Sequence, residues 1–209
     1  MADLLVRAVR IMVGSEDLEP SDPPDNPVLL LGPHGSGKSS LLFRAALMAA
    51  EEGTGPVVFL SREPLQRLPG GGEKTRDPQL LKRIRFLYPS SLKELLRLIS
   101  SIHLSSPSPS LIVLDGLERY LIHTCDAADG ALVSGLLLDS AAQLHCSLIV
   151  SAVLPSEGAD GAFLAVERYF PTQCQLFSEG TTEQEKGTYT IHFPPYLTLS
   201  VSLNNKPGV

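Results

Sequence analysis

The chain has 209 residues, is 43% hydrophobic and carries a formal charge of −6. That is enough for one sizeable buried core and little room for a second full domain. The longest apolar runs, such as Val28 to Leu31 and Leu111 to Leu114, are far too short to span a bilayer, and the acidic balance gives the surface as a whole no affinity for nucleic acid. The start shows no secretory apolar stretch with a cleavage site, so the expectation is a soluble, intracellular protein without a membrane partner.

In chain order, residues 1–26 read as an N-terminal extension. A short amphipathic stretch, Leu4 to Val13, precedes an acidic, proline-rich segment from Glu16 to Pro27 that no regular element tolerates. Residues 27–209 then read as one domain. Strand-like apolar runs at Val28 to Leu31, Val57 to Ser61, Leu111 to Asp115 and Leu148 to Val153 alternate with helical patterns at Lys38 to Glu52, Ser91 to Leu104 and Ala131 to His145. This rhythm predicts an α/β fold, a mostly parallel sheet covered by helices on both faces. Gly70 to Gly72 and Ser105 to Ser110 read as connections. Thr188 to Phe193 and Leu197 to Leu203 alternate apolar and polar residues around Pro194-Pro195-Tyr196, which predicts a C-terminal antiparallel strand pair at the sheet edge.

The chemistry concentrates in Gly32-Pro33-His34-Gly35-Ser36-Gly37-Lys38-Ser39, a G-x-x-x-x-G-K-S run between strand and helix. Its glycines let main-chain N–H groups close on phosphate oxygens, and Lys38 reaches the terminal phosphates as a point charge. Ser39 offers its hydroxyl to Mg2+, and the helix that starts there, with Ser40 next in line, points its positive end at the anion. The cofactors expected are ATP and Mg2+. A P-loop site also needs a second magnesium partner at the end of a buried strand, and Asp115 supplies it. A group that orients the attacking water is required for hydrolysis. Gly116 follows Asp115, so no glutamate stands directly after the strand carboxylate. Glu63, just beyond the strand Val57 to Ser61, is the better candidate, and Glu118, on a short helix Leu117 to Ile122, the weaker one.

Lysine and arginine are unevenly spread, with 9 of the 17 falling between Arg62 and Arg97 against only four acids. Lys82, Arg83 and Arg85 are the candidate contacts to single-stranded DNA phosphates, and a solvated surface is the competing reading. Alternation through Ile84 to Tyr88 favours a strand over base stacking by Phe86 and Tyr88. Phe43-Arg44-Ala45-Ala46 has the F-x-x-A form by which recombinases dock to one another, but its place on the P-loop helix favours core packing. Cys125, Cys146 and Cys174 read as free thiols, and the five histidines show no metal spacing.

Taken together, the Lys38 loop, the strand ending at Asp115 and Glu63 on the strand after the P-loop helix resemble a RecA-type recombinase core. More narrowly, V-L-L-L-G-x-x-G-S-G-K-S-S-L-L-F, P-V-V-F-L-S-R-E-P-L-Q, I-R-F-L-Y-P and L-I-V-L-D-G-L-E-R-Y resemble the Swsap-type ATPases over about Val28 to Phe170. This is a RecA-like paralogue family associated with a SWIM-type zinc-finger protein in the Shu complex. The resemblance implies an accessory factor of homologous recombination in the nucleus that hydrolyses ATP, binds single-stranded DNA, pairs with the SWIM protein and supports filaments of the recombinase and its paralogues. Two departures qualify it. Where recombinases carry a polar sensor after the fourth core strand, Val153-Leu154-Pro155 stands, which weakens coupling between ATP and DNA; and the N-terminal helical domain of full recombinases has no counterpart, which argues against autonomous filaments. The alternatives are a nucleotide-binding structural module with little turnover and a small-molecule P-loop kinase.

Overall fold

The computed structural model describes residues 4, 5, 7, 8, 27–53, 55–65, 77–121, 125–153, 161–179, 188–193 and 197–202, the last two stretches as backbone. Most of the proline-rich segment, Gly70 to Gly72, Arg67, Lys74, Arg76, Leu154 and Pro155 lie outside them.

Eight strands form one sheet in the order β3-β2-β4-β5-β1-β6-β7-β8. The central strands are β1 (Val28–Leu31), β2 (Val57–Ser61), β4 (Leu111–Asp115) and β5 (Ser147–Ala152), flanked by β3 (Ile84–Leu87) at one edge and β6 (Thr172–Glu179) on the other side of β1. All of these pair in parallel. Beyond them β7 (Thr188–Phe193) runs antiparallel to β6, and β8 (Leu197–Ser202) runs antiparallel to β7.

Period-two side-chain alternation sorts the strand residues onto two covered faces, which is why the central strands read as unbroken apolar runs. One face collects Val28, Leu30, Val57, Phe59, Leu111, Val113, Ile149 and Leu176 against the P-loop helix α1 (Lys38–Glu52) and the short α2 (Pro78–Leu81). The other collects Leu29, Leu31, Val58, Leu60, Ile112, Leu114, Leu148 and Val150. It is covered by α3 (Leu92–Ser101), a 3-10 turn at Ile102–Leu104, α4 (Ala127–Leu144) and α5 (Gly161–Tyr169).

Several boundaries differ from the sequence reading for local reasons. Helix α4 starts four residues before Ala131, because the Asp126 carboxylate accepts the N–H groups of Ala128 and Asp129 while Asp129 returns a bond to the Asp126 N–H. That reciprocal pair is a capping box with aspartate in both positions. Helix α2 begins where Asp77 accepts the Gln79 N–H and Pro78 fits the first turn. Helix α5 and strand β6 were not anticipated: β6 alternates polar Gln173 and Gln175 with buried Cys174 and Leu176, too weak an apolar signal to stand out. Leu4, Leu5 and Ala8 join the same buried cluster as α1, and Arg7 pairs with Glu52 at 2.7 Å, so the packed core reaches upstream of Pro27. This accounts for an α1 that buries almost its whole circumference, Phe43 and Ala46 included. Phe43 packs on Phe86, which also meets Phe59, so the F-x-x-A tetrapeptide serves the core.

Helices α4 and α5 approach so closely at Gly130 that a Cβ there would lie 2.1 Å from the Ala162 carbonyl oxygen, whereas at Gly135 the nearest atom would be Tyr169 Cε1 at 3.9 Å. Gly130→Ala is expected to lower stability by about 1–3 kcal/mol through overpacking. Gly135→Ala should be neutral or stabilise slightly, by up to about 1 kcal/mol of helix propensity. Thermal or urea unfolding of the two variants checks this, with destabilisation in Gly130→Ala and none in Gly135→Ala the expected outcome.

Candidate functional site: a phosphate loop over three strand ends

The loop 32–37 leaves the C-terminal end of β1 and enters α1. Gly32 is needed there because a Cβ would meet the Leu176 carbonyl oxygen of β6 at 2.5 Å and Ser36 Oγ at 2.9 Å. Gly35 and Gly37 take positive φ of 76° and 85°, a left-handed conformation that glycine adopts without strain. Around Gly35 nothing stands within 4 Å of where a Cβ would be, so the open side of the loop can admit a phosphate oxygen. Pro33 and His34 are exposed beside it, while Ser36 is buried and Ser39 and Ser40 are half-buried.

The N-terminus of α1 differs from the other long helices. Helix α3 is capped by Ser91, whose Oγ accepts the Glu94 N–H, and α4 by its aspartate box. In α1 the N-cap is Gly37, with no side-chain cap and no acid in the first turn. Its leading N–H groups and dipole end are therefore left for an external anion.

Lys38 is buried, and its Nζ donates to the carbonyl oxygens of Gly32 and Pro33, both at 2.7 Å, and to Ser36 Oγ at 3.4 Å. Burial pushes its pKa below the ordinary lysine value, and the charges of Glu118 and Asp115 oppose that shift. The ammonium thus lies along the inside of the loop, under the charge of Asp115 at the end of β4 and of Glu118 on the turn after it.

Asp115 ends β4, 9% exposed, next to β5 rather than β1. Ser151 of β5 fills the intervening position: its Oγ donates to Asp115 Oδ1 at 2.8 Å and accepts the Gly116 N–H at 3.0 Å. Fully buried, Ser151 fixes one carboxylate oxygen and leaves the other for a ligand. Sequence reasoning missed it. The only signal was a hydroxyl following the apolar run Leu148 to Val150, meaningful once β5 is known to lie between β4 and β1. The donor set fits magnesium: a hard carboxylate oxygen and the Ser39 hydroxyl, with the remaining ligands coming from nucleotide and water. Among the described residues no three His, Cys, Asp or Glu converge into a metal cluster. Ser39 and Asp115 would hold it, and when bound it would neutralise charge on the phosphates.

The two candidate glutamates stand differently from expectation. Glu63 follows β2, whose Ser61 is the register partner of Asp115, so it does rise from an adjacent strand end. Its side chain is 64% exposed and bonded to Arg119 Nη1 at 3.3 Å. Glu118 sits on a 3-10 turn, Leu117–Arg119, is only 22% exposed and accepts the Val153 N–H at 3.1 Å. It exerts the largest charge effect on Lys38, larger than that of Asp115. The candidate DNA residues lie elsewhere. Lys82 and Arg83 occupy the turn before β3, and Arg85 points outward from that edge strand. Arg83 Nη2 donates to the Gly53 carbonyl at the C-terminal end of α1, at 3.1 Å. All three are exposed, and Lys82 and Arg83 lie at the end of the sheet opposite the phosphate loop. Cys174 is buried and Cys146 partly so, its thiol pushed up to about 11 by burial, so neither is poised as a nucleophile.

The fold is similar to that of the RadB recombinase, with a TM-score of 0.63 at 17% identity over 87% of this chain and 88% of that one. It is also similar to the flagellar accessory protein FlaH from Methanocaldococcus jannaschii, with a TM-score of 0.59 at 13% identity over 81% and 78%. Sheet, loop and strand-end carboxylate define a RecA-like P-loop protein. No family model matches the chain. In sequence it is 46% identical over 173 residues to the human ATPase SWSAP1, covering 77% of this chain and 76% of that protein. To the mouse ATPase SWSAP1 it is 45% identical over 161 residues, covering 72% and 58%. The chain belongs to the SWSAP1 family of ATPases.

Ser151→Ala would leave Asp115 and the Gly116 N–H each short of a partner, at a stability cost of about 1–3 kcal/mol. Its specific effect is expected on the metal-dependent part of nucleotide binding. Titration with a fluorescent nucleotide in excess Mg2+ and again in chelator should show affinity falling in the first condition and little change in the second.

Proposed function

We propose that this chain binds and hydrolyses ATP as an accessory factor of homologous recombination in the nucleus, acting on single-stranded DNA together with a SWIM-type zinc-finger partner and in support of recombinase filaments. The observation that carries the nucleotide part is the uncapped, positive end of α1 beside Lys38 and opposite the Asp115–Ser151 pair. Family membership supports the recombination part, and the partner, DNA and compartment follow from the motif resemblance.

In this reading the loop amides and Lys38 bind the phosphates, while Ser39 and Asp115 hold the magnesium. Glu63 orients the attacking water from the end of β2. For DNA, Lys82 and Arg85 are exposed cations at the β3 edge, and Arg83 is shared with the α1 carboxyl end. A second reading, a nucleotide-holding module with little turnover, is favoured by one observation: Glu63 is engaged by Arg119 and largely exposed. A carboxylate already paired with a guanidinium and open to bulk water is poorly placed to hold one attacking water.

Glu63→Gln and Glu118→Gln separate these readings when ATP turnover is measured with and without single-stranded DNA. If Glu63 orients the water, its variant keeps nucleotide bound and loses about a hundredfold in rate. Glu118→Gln should retain most of the turnover. Equal rates for wild type and Glu63→Gln would leave the holding module as the better description.

A further inference from the structure

Arg119 has no role so far beyond its contact with Glu63, yet the turn that carries it is anchored on several sides. Gly116 takes φ 80°, turning the chain sharply after Asp115. The Arg119 side chain folds back over it, since a Cβ at Gly116 would lie 3.2 Å from Arg119 Cδ and Nε. Arg62 Nη1 donates to the Arg119 carbonyl oxygen, and the buried Tyr120 hydroxyl donates to the Pro89 carbonyl oxygen at 3.0 Å. Glu118, the residue before Arg119, accepts the Val153 N–H at the end of β5, the strand beside β1. The turn is therefore fixed over the strand ends that carry the phosphate loop.

From that position the guanidinium lies between two carboxylates. Nη1 is 3.3 Å from Glu63 Oε2 and Nε is 3.9 Å from Glu118 Oε1. The Arg119 and Glu63 side chains are 42% and 64% exposed. An ion pair that open to solvent contributes little to stability, so structure alone gives a weak reason for it. Arg119 also acts electrostatically on Lys38, the residue that addresses the terminal phosphates.

We propose that Arg119 reads the terminal phosphate of ATP directly, exchanging its contact with Glu63 for one with that phosphate and so freeing Glu63 when ATP, but not ADP, is bound. The exchange is chemically favourable because a terminal phosphate offers more charge and more acceptor oxygens to a guanidinium fork than one solvated carboxylate. Arg62, which holds the Arg119 carbonyl rather than its side chain, leaves the guanidinium able to swing. Because the two glutamates start from different strands, β2 and β4, the same movement couples the nucleotide to both strand ends. The inference rests on the nucleotide-binding reading and deepens it.

The test is a comparison of affinities for a fluorescent non-hydrolysable ATP analogue and for fluorescent ADP, with Mg2+, in wild type, Arg119→Ala, Glu63→Gln and the double variant. Arg119→Ala is expected to weaken the ATP analogue about tenfold, the scale of one charge-assisted hydrogen bond, and to leave ADP unchanged. Glu63→Gln removes the competitor for the guanidinium, so it should tighten the ATP analogue when Arg119 is present and have no effect when it is absent. Equal loss for both nucleotides in Arg119→Ala would show that the side chain only supports the turn and would overturn the inference. So would a Glu63→Gln effect of the same size in both backgrounds. If Arg119→Ala does not fold, Arg119→Lys, which keeps the charge but not the fork, carries the same comparison with the same ATP-selective loss expected. A wild-type protein that binds neither nucleotide would overturn the nucleotide reading itself, whereas one that binds both with no dependence on Arg119 overturns this inference alone.

Discussion

The interaction on which the rest of the site depends is the burial of one ammonium group. Lys38 is 7% exposed, and a charge taken so far out of water must be compensated by fixed dipoles and opposite charges. The loop carbonyls of Gly32 and Pro33 provide the dipoles, and Glu118 and Asp115 provide the charge. This arrangement imposes the topology around it. The loop must sit at the end of β1, two acids must project from the end of β4, and β5 must lie between them with a polar group at the right height. Ser151 is that group. The same geometry suits an anion, since the N-terminus of α1 carries no side-chain cap, the ammonium lies along the loop, and Gly35 leaves the loop's outer side open.

Much of this was legible in the sequence because the requirements are local. The spacing from Gly32 to Ser39 dictates a backbone conformation, and the unbroken apolar run before Asp115 dictates a strand buried on both faces. What escaped was set by contacts between elements. Ser151 acquires a role only from the strand order, and β6 emerges as a strand only because residues 172–175 have β1 to pair with and Cys174 and Leu176 join the cluster that α1 covers. The early start of α4 was hidden by an aspartate serving as the third helical residue, where a glutamate or glutamine is the commoner sign.

The two glutamates show where local reading is least sufficient. Glu63 and Glu118 are equally visible as acids near strand ends, and the sequence ranked them by analogy of position. The structure ranks them by environment: Glu118 is more enclosed and acts more strongly on Lys38, while Glu63 is solvated and shared with Arg119. The basic segment teaches the same lesson, since Arg83 is engaged by the end of α1. Charge density along a chain gives no information on which cations are already partnered.

The central claim is that the loop carrying Lys38 is a nucleotide site, and titration of a fluorescent ATP analogue into wild type and Lys38→Ala tests it most directly. Removing the one cation inside the loop should abolish binding or weaken it at least about a hundredfold, because the phosphates then meet amides without a neutralising charge. Circular dichroism and thermal unfolding establish that the variant is folded. Unchanged affinity in a folded Lys38→Ala protein would contradict the account, for the nucleotide would then be held somewhere other than the end of β1.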